Sequence, residues 1–143
     1  MAALTGTNLV ANLWKTGQRQ IAVGSYTLVG AITNADTLTW DNIMPDGTKT
    51  IVGFRFYGQE LDTNVTPTLA ATIGDENTAT GFMTSFTAGS SLAQFTIQGN
   101  GAFLGATSTG RDIILVTSGT LGTAAASGTV YVAVEYICGD VTA

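Results

Sequence analysis

The sequence predicts an all-β fold, an antiparallel β-sandwich of about eight strands with jelly-roll or Greek-key connections and an N-terminal arm. Three observations predict it. Threonine is the most frequent residue, and with Val, Ile, Tyr and Phe it suits a pleated, half-buried surface. Leu, Glu, Lys and Arg, which long helices want, are thin on the ground. Apolar and polar residues alternate with period two in runs broken by glycine-rich turns.

The elements follow in order. Residues 1–24 read as an arm that packs on a neighbour or across its own sheet, with an ordinary first strand as the alternative. Leu9, Val10, Leu13 and Trp14 fit a short helical turn pair about as well as an extended strand, and Lys15–Gln20 is polar without a period. The sandwich domain then spans 25–143. Tyr26, Leu28 and Ile32 alternate in a strand at 25–33, and Leu38 and Trp40 share a face at 36–42. Pro45 ends that strand and Asp46-Gly47 turns the chain. At 50–60, Val52, Phe54 and Phe56 face one way while Gly53, Arg55 and Tyr57 face the other. Further strands are expected at 68–74, 81–86, 93–98 (Phe95 with Ile97), 111–117 and 128–138, the last alternating Val130, Val132, Val134 and Tyr136. Asn34-Ala35-Asp36 and Asn100-Gly101 read as turns, and 87–91 and 118–128 as surface loops. Periodicity does not give strand order.

Composition then limits the chemistry. Charged residues make up 10% of the 143 positions and there is no histidine, against about 25% charged in ordinary soluble domains. Such a surface implies burial against other subunits. Without histidine, Ser-His-Asp and Cys-His nucleophile systems and Cys/His zinc sites cannot be built. The single cysteine, Cys138, excludes a disulfide framework and is expected as a buried, inert thiol. No cofactor is expected and no enzyme activity. The net charge of −5 argues against nucleic acid, and no apolar run reaches the 18 or so residues of a membrane span. The leading residues lack the pattern of a secretory leader, so synthesis in the cytoplasm is expected. The charge is uneven, however: Lys15 and Arg19 are the only charged residues before Asp36. A basic leading segment of this kind suits docking on something acidic, or is simply solvated.

Asp46-Gly47-Thr48-Lys49-Thr50 lacks the spacing of a phosphate loop, and Gly99, Gly101 and Gly105 miss the dinucleotide fingerprint. Two carboxylate pairs remain, Glu60 with Asp62 and Asp75 with Glu76. A turn-capping role is favoured for the second pair over calcium ligation or acid catalysis. Trp40, Tyr57 and Tyr131 are the aromatics that a sugar-binding jelly roll would use, although a core or interface role suits their strand positions better.

The stretch 37–85 carries the most information. It reads Thr37-Leu38-Thr39-Trp40, Ile43-Met44-Pro45-Asp46-Gly47, Ile51-Val52-Gly53-Phe54-Arg55-Phe56, Gly58-Gln59-Glu60-Leu61-Asp62-Thr63-Asn64, Pro67-Thr68-Leu69, Ile73-Gly74-Asp75 and Gly81-Phe82-Met83. With the valine-rich strand Val130–Tyr136, this resembles the head decoration, or cement, proteins of tailed bacteriophages. The resemblance implies a jelly-roll-like sandwich that clamps neighbouring capsomers on the exterior of the head. It implies the phage major capsid protein as partner, a homotrimer, and assembly onto the virion in the host cytoplasm. Other phage structural parts (tail, fibre, head–tail adaptor) are the alternative. Leu9, Val10, Leu13, Trp14, Lys15 and Arg19 are the candidate contacts with capsid or neighbour, since aromatic and arginine anchors dominate interface energetics.

Overall fold

A computed structural model describes residues 2–89, 94–125 and 127–139. Ser90 and Ser91 of the loop expected at 87–91, Ala93 at the start of the strand expected at 93–98, and Ala126 of the loop expected at 118–128 lie outside them. So do residues 140–143 of the expected domain and the side chain of Phe95. Among the described residues there is no helix.

The strands are β1 (Ala3–Thr5), β2 (Thr7–Val10), β3 (Arg19–Thr27), β4 (Thr37–Trp40), β5 (Lys49–Gln59), β6 (Ala70–Gly74), β7 (Met83–Thr87), β8 (Gln94–Gln98), β9 (Thr107–Ser108), β10 (Ile113–Ser118) and β11 (Thr129–Cys138). One sheet has the order β1-β4-β10-β6-β7 and the other β2-β3-β11-β5-β8, with β9 also on β5. Setting aside the short β1, β2 and β9 leaves the eight strands of the expected sandwich. Counted one to eight along the chain, they lie in the orders 2-7-4-5 and 1-8-3-6, every pair antiparallel. Two such interleaved Greek keys are a jelly roll.

Two elements differ from the expected pattern, each for a physical reason. The first long strand runs over Arg19–Thr27, not 25–33. Its core face carries Ala22 and Gly24, because Trp40 and Ile43 fill the space above them and a Cβ at Gly24 would strike the Trp40 ring. Small core-facing residues hide the alternation, while Leu28 and Ile32 are buried from the connection that follows. In β5, the register against β11 shifts between Glu135 and Tyr136, so Gly53 pairs with Glu135 and Ile51 with Tyr136. Val52 is the extra residue of this bulge. Ile51, Phe54 and Phe56 therefore face the core, and Val52 falls on the outer face instead of joining the phenylalanines.

The core lies between the sheets. Trp40, Phe56, Ile73, Leu115, Val132 and Tyr136 are fully buried there, and Phe54 stacks on Phe82 with ring centroids 4.8 Å apart. The leading residues are part of this sandwich: β1 pairs in parallel with β4 at one sheet edge, and β2 pairs with β3 at the edge of the other. Between them the chain crosses over Trp40 at Gly6, whose N–H donates to Thr39 O at 2.8 Å. A Cβ at Gly6 would overlap the indole, whose Nε1–H donates to Ser25 O at 3.0 Å. Glycine is required there by close approach.

Candidate contact surfaces

The four apolar residues singled out in the leading segment all reach the surface. Leu9 is 54% exposed, Val10 39%, Leu13 41% and Trp14 49%. Leu9 and Val10 stand on the edge strand β2. Leu13 and Trp14 follow at the end of the sandwich, where the segment is held by its backbone and leaves these side chains free. Asn12 N–H donates to Ile43 O at 3.0 Å, Tyr136 Oη–H donates to Leu13 O at 2.8 Å, and Thr16 bridges to Cys138. Trp14 lies beside the Asp46-Gly47 turn, where a Cβ on Gly47 would meet its ring at 3.2 Å. Burial pushes the Tyr136 phenol up to about 12, with the Cys138 charge adding to the shift. Lys15 and Arg19 are exposed beside the group, and Arg19 Nε lies 3.6 Å from Glu135 Oε2.

Sequence reasoning missed Ile21, which is 42% exposed on β3 and extends the apolar group across the sheet. Beside it, the curl of the outer face encloses a shallow hollow of about 500 Å³, lined by Ile21, Val23, Val52, Arg55, Tyr57 and Ala133 among others. Its signal was period two through Arg19–Thr27, which the small residues on the opposite face obscured.

Three of the four carboxylates, Asp62, Asp75 and Glu76, resolve as structural groups. Glu60 and Asp62 lie beyond the end of β5, in the corner to β6, and both are buried. Asp62 Oδ1 accepts from Asn64 and Thr123 N–H at 3.2 and 3.0 Å, and Oδ2 from Thr68, Leu69 and Gly122 N–H at 2.9, 3.0 and 3.0 Å. Burial opposes its ionisation, but the N–H groups of Thr123, Leu69, Gly122 and Thr68 hold its pKa well below the usual carboxylate range. Asp75 Oδ1 accepts from Asn77 and Thr78 N–H, both at 2.8 Å, and Glu76 accepts from Arg111 and Asp112 N–H. This is the turn-capping role expected of Asp75, whereas Glu76 instead ties its connection to the distant approach to β10. Among the described residues no group of acids has the arrangement of a metal site. Asp36 repeats the pattern: its carboxylate accepts from Thr33 and Ala2 N–H, each at 2.8 Å, and the Thr33 bond leads the causes that lower its pKa.

Lys49 is fully buried, and its Nζ donates to Pro45 O at 2.9 Å and Gly47 O at 2.7 Å, so it pins the turn from inside. Burial lowers its pKa. Of the candidate sugar-stacking aromatics, Trp40 is wholly in the core. Tyr57 and Tyr131 stack on each other at 5.1 Å on the outer face, which occupies a ring face of each.

No family model matches the chain and no curated protein does. Solved structures do. A chain of the cyanophage Pam1 capsid asymmetric unit superposes with a TM-score of 0.70 at 28% identity, over 90% of this chain and 94% of that one. A chain of the capsid of Ralstonia phage GP4 superposes with a TM-score of 0.69 over 92% of each, and at 16% identity it speaks for the fold alone. Along nearly its whole length, then, the chain is similar to a phage capsid-associated protein.

Proposed function

We propose that this chain is a non-enzymatic decoration, or cement, protein. It binds the outer surface of a phage head and stabilises contacts between capsomers of the major capsid protein, as a homotrimer assembled onto the virion in the host cytoplasm. The observation that carries the reading is a jelly roll shared with a chain of a phage capsid, in a molecule whose leading segment leaves this chain's Leu9, Val10, Leu13 and Trp14 uncovered. Burying such residues against a neighbouring subunit is worth about 25 cal/mol per Å² before the costs of association. Lys15 and Arg19 flank them and suit carboxylates on the partner.

Asp62, Asp75 and Glu76, three of the acids that sequence left open to catalysis, are engaged with backbone N–H groups, which supports a scaffold in place of a reaction centre. A standard interface covers about 800 Å² per partner. The accessible surface of 6606 Å² leaves room for two such patches on one chain, as bridging requires.

The test is co-sedimentation with expanded heads stripped of the protein. Wild-type chain is expected to saturate the heads and raise their melting temperature, and Trp14→Ala with Leu13→Ser to lower occupancy severalfold. Wild-type chain that leaves head stability unchanged would refute the reading. A ring of six or twelve copies in native mass spectrometry would replace it with a connector or tail role.

A further inference from the structure

Apart from Arg55 in the middle of β5, the exposed charges of this molecule lie toward one end of the sandwich. At one end the leading segment, the β4–β5 and β6–β7 connections and the approach to β10 bring together Lys15, Arg19, Asp41, Asp46 and Glu76, all exposed. At the other end meet the β3–β4 connection (28–36), the β5–β6 connection (60–69) and the described part of the β10–β11 connection (119–125, 127–128). Three charged residues occur in these connections, and all are withdrawn: Asp36 is 4% exposed, Glu60 1% and Asp62 0%. The described side chains of these connections that reach water are neutral. Val29 and Val65, 86% and 85% exposed, are the most exposed large apolar residues described, and Thr66, Thr120 and Thr123 stand around Val65 or on the facing connection.

Hydrogen bonds also tie these connections to one another. Asp62 ties its own connection to the next through Gly122 and Thr123 N–H, and Thr63 N–H donates to Thr123 O at 2.9 Å. Asp36 N–H donates to Thr117 Oγ1, whose hydroxyl hydrogen bonds with Thr33 O. A surface fixed in advance spares the entropy of ordering loops on contact. A surface without ions also spares the several kcal/mol that each ion would cost on desolvation.

We propose that the charge-free end seats the protein on the capsid shell. It docks against a neutral, hydroxyl-bearing protein surface of the coat, as a contact separate from the one at the leading segment. This rests on the shell-binding reading above. Two features of the molecule favour the coat over a second copy as occupant. The chains of like fold belong to capsid structures, and a clamp needs two separate contacts. Leu13 and Trp14 supply one of them at the opposite end of the sandwich.

The test pairs two double variants, Val29→Asp with Val65→Asp and Val29→Thr with Val65→Thr. Both side chains are almost free of packing, so melting temperatures should stay within about 2 °C of wild type. In titrations of stripped heads, the aspartate pair should bind at least about tenfold more weakly and the threonine pair within about threefold of wild type. Aspartate variants that bind like wild type would overturn this inference and leave the shell-binding reading standing. Aspartate variants that fall from oligomer to monomer in native mass spectrometry would also overturn it, since the end would then join copies. Wild-type chain that fails to bind heads sinks both readings together.

Discussion

Asp62→Asn tests whether one buried carboxylate holds the end of the sandwich together. The wild-type side chain accepts five backbone N–H groups with its two oxygens, two on Oδ1 and three on Oδ2. Asparagine keeps one oxygen and turns an NH₂ toward the donors that faced the other. Two or three buried N–H groups lose their acceptor, at about 1–3 kcal/mol each. A total of about 3–5 kcal/mol is expected, since the loop relaxes in part. At about 2–4 °C per kcal/mol for a chain of this size, the melting temperature should fall by about 6–20 °C. Calorimetry from pH 3 to 8 adds a second readout. The folded-state pKa lies below the unfolded value of about 3.9. The stabilisation is therefore fully present above pH 4 and drains away as the pH falls further. Wild type should lose stability below pH 4, and the Asn variant should lose less over the same interval. A variant melting within 3 °C of wild type, with an unchanged acid limb, would refute the argument.

Three further outcomes are expected. Gly6→Ala forces a methyl into the Trp40 indole, an overpacking cost of about 1–3 kcal/mol, read as a lower midpoint in urea. Tyr136→Phe removes the bond to Leu13 O, worth about 1 kcal/mol, and should speed proteolytic cleavage within residues 11–18. Because the phenol is raised to about 12, the unfolded chain ionises first as the pH climbs past 10. Wild type should then lose stability between pH 10 and 12, a loss the Phe variant lacks. Trp14→Ala alone should shift the melting temperature by less than about 2 °C, since the ring is 49% exposed, while lowering head occupancy.

What could be read from the sequence depended on side-chain size. Where both faces of a strand carry contrasting residues, as in Val130–Tyr136, the element and its orientation were legible. In Arg19–Thr27 the core face is Ala22 and Gly24, so the period vanished although the strand is central to its pairing. In β5 the bulge put Val52 on the face opposite the one expected and Ile51 in the core instead. Strand order was out of reach because each sheet joins distant segments, such as Thr129–Cys138 between Arg19–Thr27 and Lys49–Gln59. The apolar group at Leu9, Val10, Leu13 and Trp14 could be singled out from its place in the leading segment, and the structure exposes it. The charge-free end was not, for it arises when three connections far apart in sequence converge and turn their acids inward.

The position of β11 sets a timetable for folding. Its ten residues form the middle of their sheet, bonded to β3 on one side and β5 on the other. Until residue 138 has emerged from the ribosome, β3 and β5 have no partner to join them, and their apolar faces must wait uncovered. Such distant pairings make for slow closure. The nascent polypeptide thus passes through an interval in which a chaperone could hold it. Competence to associate arrives abruptly, on closure of the sheet, instead of growing as translation proceeds.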